Sequence, residues 1–233
     1  MNGIATNYIN IQNLSRQYIQ GETVVNALSG IELGFQRGEF GALVGPSGSG
    51  KSTLLNCMGA LDKPTTGSVE IDGKDVTRLT GNELSDFRLQ NIGFVFQAYN
   101  LVPVLTAYEN VEYILLLQGV GPAERKQRIH ALSKKMDMDD LMHRFPDQLS
   151  GGQQQRVAVA RALVGEPEVV LADEPTANLD SANAEKLIEL MLQMCEETET
   201  TFIFSTHDDR VMKSAHRLIH LRDGQVERDE KVQ

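Results

Sequence analysis

Nine residues constrain this 233-residue chain more than any others: Gly45-Pro46-Ser47-Gly48-Ser49-Gly50-Lys51-Ser52-Thr53. An apolar run, Glu39 to Val44, leads in as a buried strand, and Ser52 to Leu61 leads out as a helix. Strand, Gly-x-x-x-x-Gly-Lys-Ser, then helix is the context in which this spacing has a mechanical meaning. The glycines let backbone N–H groups turn inward around an anion without Cβ clashes. The unpaired N–H groups of the helix start add a positive dipole end. Lys51 can set its ammonium on the β- and γ-phosphates of a nucleotide, and the Ser52 hydroxyl suits an octahedral Mg²⁺. A Gly/Ser-rich turn matching by accident would not bring the flanking strand and helix with it, so the loop reads as a phosphate cradle.

Around the loop, short β-like and helical patterns alternate. Tyr8 to Tyr18 alternates weakly through Ile9, Ile11 and Leu14, and Val24 to Leu28 and Ile31 to Phe35 are two further short β-runs. Ser68 to Ile71 runs into Asp72-Gly73, a hairpin signal. This spacing predicts an antiparallel sheet beside the parallel one that carries the loop. Asn82 to Leu89 predicts a short helix, and Ile92 to Phe96 a strand ending at Gln97. From Thr106 to Leu149 the pattern is helical, with Pro122 as a first-turn residue and Ile129, Leu132 and Met136 at helical spacing. The span 97–150 therefore reads as a helical subdomain inserted into a lobe made of 1–96 and 151–233. Ser150 can cap a helix from about Gly152 to Val164, and Asp180 or Ser181 another, with Ala184, Leu187, Ile188, Met191 and Cys195 as its apolar stripe. Glu168 to Ala172 and Thr201 to Ser205 are strands, and Leu218 to Glu227 is a closing hairpin.

Three strands end in polar residues: Val44 in the loop, Ala172 in Asp173-Glu174, and Ser205 in Thr206-His207. Ligands of open α/β sheets sit beyond the carboxyl ends of the strands, so these tips should converge. Asp173, after four apolar residues, is placed to hold Mg²⁺ with Ser52. Glu174 can orient and deprotonate a water attacking the γ-phosphate. An acidic pair on a solvated turn fits poorly after so apolar a strand. His207 is either a satisfied structural histidine or a donor to that phosphate. Gln97 on its own is an ordinary loop residue, and Tyr18 offers its ring equally to a base or to the core. Leu149-Ser150-Gly151-Gly152-Gln153 presents a second helix start to an anion. One triphosphate rarely needs two such ends from one chain; two chains related by a two-fold axis could each supply one.

Charge narrows the partners. A net charge of −10 argues against the basic face that nucleic acid requires. Cys57 and Cys195 fall in predicted helices without metal spacing and read as buried thiols. Met1 to Asn10 is short and polar, and Val111 to Val120 is too short and too polar to span a bilayer. A cytosolic chain that serves a membrane by docking to another chain is expected.

With those residues in hand, the chain resembles the ATPase subunit of ATP-binding cassette transporters over essentially its whole length. Gly45 to Thr53 resembles the Walker A loop, Gln97 the Q-loop, Leu149 to Gln153 the signature, and Val169 to Glu174 Walker B with its catalytic Glu. Asn178-Leu179-Asp180 is similar to the D-loop, His207 to the switch histidine, and Tyr18 to the adenine-stacking aromatic. The resemblance implies an α/β fold: a P-loop NTPase with a RecA-like, mostly parallel sheet core, an N-terminal antiparallel β subdomain and an inserted α-helical subdomain. It implies ATP and Mg²⁺ as cofactors, with Ser52, Gln97 and Asp173 around the metal and Glu174, His207 and Gln97 in catalysis. It also implies a head-to-tail homodimer in which Ser150 to Gln153 and Asp180 complete the neighbour's site. Phe96 to Pro103, Leu105 to Val111 and Asp173 to Asp180 resemble the lipoprotein-releasing and macrolide-export branch, whose members work with FtsX-like permeases on the cytoplasmic side of the inner membrane. Val102 and the Gly121-Pro122 junction are mild departures. A non-transporting signal transducer would use the same residues. The soluble cassettes of DNA repair and translation are disfavoured, because no heptad run separates Gln97 from Leu149.

Overall fold

The structure, a computed structural model, describes residues 7–232. The first six positions of the polar opening, where no leader is expected, lie outside the described residues. In chain order the first elements are β1 (Ile9–Gln20), β2 (Thr23–Phe35), β3 (Phe40–Val44) and α1 (Lys51–Met58). They are followed by β4 (Thr66–Ile71), β5 (Lys74–Asp75), α2 (Gly81–Asn91) and β6 (Ile92–Val95). Helices α3 (Ala107–Leu117), α4 (Pro122–Lys135) and α5 (Gly151–Leu163) come next. The chain then runs through β7 (Val169–Asp173), α6 (Ser181–Thr198), β8 (Thr201–Thr206), α7 (Asp209–Ser214), β9 (Arg217–Arg222) and β10 (Gln225–Lys231).

Two sheets result, ordered β2-β1-β4-β5 and β10-β9-β3-β8-β7-β6. The first is antiparallel; the second is parallel except for the β9–β10 hairpin. The two β-runs expected at Val24–Leu28 and Ile31–Phe35 are one strand, β2, with a bulge between them. Leu14 pairs with Ile31 and Arg16 with Leu28, so β2 advances one residue more than β1. Gly30 takes φ 63° there, and its N–H donates to Ser15 Oγ.

Strand periodicity divides the core between the two faces of the large sheet. Phe40, Ala42, Phe202 and Phe204 enter one cluster, and Leu43, Ile203 and Leu171 the other. Helices α3 to α6 cover the first face, while α1 and the antiparallel sheet cover the second. Helices α3 and α4 pack no separate core among the described residues: Ala107, Val111, Leu115 and Ile129 share a cluster with Val157 and Leu187. Helix α7 has no counterpart in the sequence periodicity, since its six residues are too few to show one. No helix among the described residues is long and apolar enough to cross a membrane. The order β3-β8-β7 sets the three polar strand ends side by side at one edge.

Candidate functional site

Gly45 leaves β3 at φ 152°, where a Cβ would lie 2.2 Å from the Leu221 carbonyl oxygen of β9. The glycine is thus required by a neighbouring strand pressing on the loop as well as by the turn. From the same side, the Gly224 N–H donates to Ser49 O at 3.1 Å. Helix α1 starts on Gly50 with no side-chain cap and no acidic residue in its first turn. By contrast, Thr106, Ser150 and Asp180 cap α3, α5 and α6 with their side chains. An uncapped start leaves first-turn N–H groups available to an anion, which fits a bound phosphate chain. Pro46, Ser47 and Gly48 are exposed at the loop crown and Ser49 is buried beneath it. Lys51 is only 7% exposed, and its Nζ donates to Gly45 O at 2.8 Å and Pro46 O at 3.0 Å. The ammonium is therefore held against the loop that it would serve.

Asp173 ends β7 in register with Ser205 of β8. Its Oδ1 accepts from the buried Ser205 hydroxyl and, at 3.0 Å, from Ser52 Oγ. Oxygen donors from α1, β7 and β8 thus meet at one point, a set suited to a hard cation. Among the described residues no group of three or more His, Cys, Asp or Glu could hold a metal unaided. A cation at Asp173 and Ser52 would need further oxygen ligands, which phosphate and water can supply.

Glu174 takes φ 45°, a left-handed conformation that costs a non-glycine residue about 1–2 kcal/mol. Its N–H donates to Ser205 O at 2.9 Å, which holds the kink. Glu174 Oε1 lies 3.0 Å from His207 Nδ1. A neutral imidazole has one ring proton, and if it is spent on Glu174 it is not available to a phosphate. Behind His207, Asp208 accepts from Thr176 Oγ1 at 2.9 Å and from the Arg210 guanidinium, which lowers its carboxyl to about 2.

Ser150 and Gln153 cap α5 as a box: Gln153 N–H donates to Ser150 Oγ at 3.3 Å, and Ser150 N–H to Gln153 Oε1 at 2.9 Å. Ser150 is exposed, with Gly151 to Gln153 partly so, while Tyr99 packs close to Gly151. Asp180 is the cap of α6, and the Asn183 backbone N–H it accepts holds its carboxyl below the usual range. Gln97 is exposed, and its carbonyl accepts from Asn178 Nδ2 at 2.9 Å. Tyr99 and Asn100 are both left-handed, and Arg161 of α5 donates to their carbonyls at 2.9 and 2.5 Å. Half-buried Tyr18 reaches from β1 to the turn that follows α1: its hydroxyl donates to Asp62 Oδ2 at 2.5 Å.

Ser205, Arg161, Thr176 and Asp208 have no individual signal in the pattern. Its place at the polar end of a strand is the one clue that Ser205 left. Arg161 sits 61 residues from the turn it holds, beyond the reach of any local rule.

A glycine cradle on an uncapped helix, with a carboxylate pair and a histidine at adjacent strand tips, defines a nucleoside-triphosphate-binding α/β protein. Residues 28–177 match the family described as ABC transporter. The chain belongs to that family and is its ATP-binding, ATP-hydrolysing cassette. It is 46% identical over 228 residues to an uncharacterized ABC transporter ATP-binding protein, MJ0796, of Methanocaldococcus jannaschii, covering 96% of this chain and 97% of that one. It is also 46% identical over 220 residues to the macrolide export ATP-binding/permease protein MacB of Mannheimia succiniciproducens, covering 94% of this chain but 34% of MacB. A solved dimeric, post-hydrolysis structure of MJ0796 bound to ADP and Pi superposes with a TM-score of 0.92 at 44% identity, covering 97% of this chain and 99% of that one.

Proposed function

We propose that two copies of the chain close head-to-tail on two MgATP molecules and that hydrolysis reopens them, driving a separate membrane permease of the FtsX-like type. The observation that carries the reading is an exposed, self-capped tip at Ser150 in a chain similar over nearly its whole length to a cassette solved as a dimer with ADP and Pi. Tyr18 takes the adenine. The amides of Gly45 to Thr53 and the Lys51 ammonium take the phosphates. Ser150, Gly151, Gly152, Gln153 and Asp180 of the opposite copy close over the γ-phosphate. Ser52, Asp173 and Gln97 would hold Mg²⁺, which would offset charge on the phosphate oxygens.

Glu174 accepts the proton of the attacking water. His207 releases Glu174 and turns its proton to the γ-phosphate, so one exchange of hydrogen bonds frees the base and holds the group being transferred. Contacts made only while the γ-phosphate is present shift the pair toward closed, and its loss shifts them back.

The helical insertion, 97–150, passes that motion on. A groove of about 320 Å³ lies at its root, lined by Phe94, Phe96, Val102, Tyr113 and Arg161. Val104, two residues along the chain from Val102, is 76% exposed, and a cytoplasmic helix of the permease docks at this groove. The macrolide-efflux reading rests on the similarity to MacB, and lipoprotein release on the cytoplasmic face of the inner membrane rests on the branch resemblance of Phe96 to Pro103, Leu105 to Val111 and Asp173 to Asp180.

Two measurements test this. Turnover per copy should fall on dilution, because a lone copy is incomplete; a rate strictly proportional to enzyme down to nanomolar concentration refutes the shared site. Affinity purification of the tagged chain from solubilised membranes should bring down an FtsX-like permease. A permease of another type, recovered stoichiometrically, refutes that assignment.

A further inference from the structure

We infer that Arg16 and Asp62 are positioning residues for recognition of the nucleotide base, holding the Tyr18 ring as a fixed stacking platform. The inference rests on the reading of Tyr18 as the base contact. Arg16 and Tyr18 stand two apart on β1, so their side chains share one face of the strand. The Arg16 guanidinium carbon lies 4.5 Å from the Tyr18 ring centroid, covering one face of the ring. Its Nε meets Asp62 Oδ2 at 2.9 Å and its Nη2 meets Asp62 Oδ1 at 2.7 Å, a planar two-point pairing. The Tyr18 hydroxyl closes the triangle on Asp62 Oδ2 at 2.5 Å.

Both charged side chains are sheltered, at 23% and 22% exposure, beyond what a solvated surface pair shows. Asp62 is in turn anchored to the helix that begins at the phosphate loop, its N–H donating to Asn56 O at 3.1 Å. The ring is therefore fixed in height by its hydroxyl, in tilt by the guanidinium, and in distance from the cradle by α1. A ring held this way loses little freedom when a base stacks on its other face, so stacking is stronger than on a free tyrosine. A brace serving only the β1–β2 ribbon would have no reason to engage both the face and the hydroxyl of one aromatic.

The test compares ATP with inorganic tripolyphosphate, which has no base, by titration calorimetry on the full chain. Arg16→Met should weaken ATP about three- to tenfold and leave tripolyphosphate unchanged. KM for ATP should rise with kcat within about twofold of native. Arg16→Met combined with Tyr18→Ala should bind ATP no more weakly than Tyr18→Ala alone, since both act through one contact. Equal weakening of both ligands, or additive losses in the double variant, overturns the inference. Should Arg16→Met fail to fold, Asp62→Asn removes the ionic pairing with the same expected split. If Tyr18→Ala lowers ATP affinity and neither brace variant does, the brace alone is refuted. If Tyr18→Ala itself spares ATP, the base-contact reading falls with it.

Discussion

Replacing Glu174 with Gln removes the one property the proposed cycle asks of that side chain and little else. The amide is isosteric, its Oε1 still accepts the His207 Nδ1–H now made at 3.0 Å, and the Glu174 N–H bond to Ser205 O is untouched. The left-handed backbone at φ 45° is equally costly for Gln and Glu, so folding stability should be unchanged. An amide cannot take a proton from water. A positioned general base contributes roughly 10²- to 10⁴-fold, or about 3–5 kcal/mol of barrier. The kcat for phosphate release at saturating MgATP should fall by that factor while ATP affinity holds within about threefold. ATP then persists between two copies, and gel filtration with ATP should show a dimer peak that ADP does not produce. A kcat within about threefold of native would falsify the assignment of Glu174 as base, whatever the dimer peak shows.

Lys51→Ala should weaken ATP binding at least tenfold by calorimetry, because it deletes the buried ammonium held at the loop; unchanged affinity would separate Lys51 from the phosphates. Ser150→Arg should leave ATP affinity near native and abolish turnover, and the lost cap should cost about 1 kcal/mol, read as a lowered Tm. Retained turnover would place the α5 tip outside the site. Asp208, held near 2 by Arg210, stabilises the fold above the ordinary carboxylate range and loses that contribution as pH falls toward 2. The Tm gap between native and Asp208→Asn should accordingly be widest above about pH 5 and close toward pH 2; a pH-independent gap refutes the ion pair as its source. Burial raises Cys57 to about 12 and Cys195 to about 11, so a thiol reagent at pH 8 should label neither faster than the chain unfolds.

What the sequence determined by itself is the local chemistry. Gly45 to Thr53, Asp173-Glu174, Ser150 to Gln153 and the Asp72-Gly73 and Asp223-Gly224 turns are short-range signals, readable because caps, turns and strand tips are decided within a few residues. The same rules failed at Ser29-Gly30, where a bulge looks like a strand boundary, and at α7, too short to show a period. Tertiary structure decided which tips meet. Ser205 faces Asp173 only because β8 inserts between β3 and β7 in the sheet, and Leu221 dictates Gly45 only because β9 lies on the other side. Arg161 on Tyr99 and Asn100, and Arg16 and Asp62 about Tyr18, are contacts between elements distant in sequence. Such pairings depend on packing free energy summed over the whole core, which no window of neighbouring residues contains.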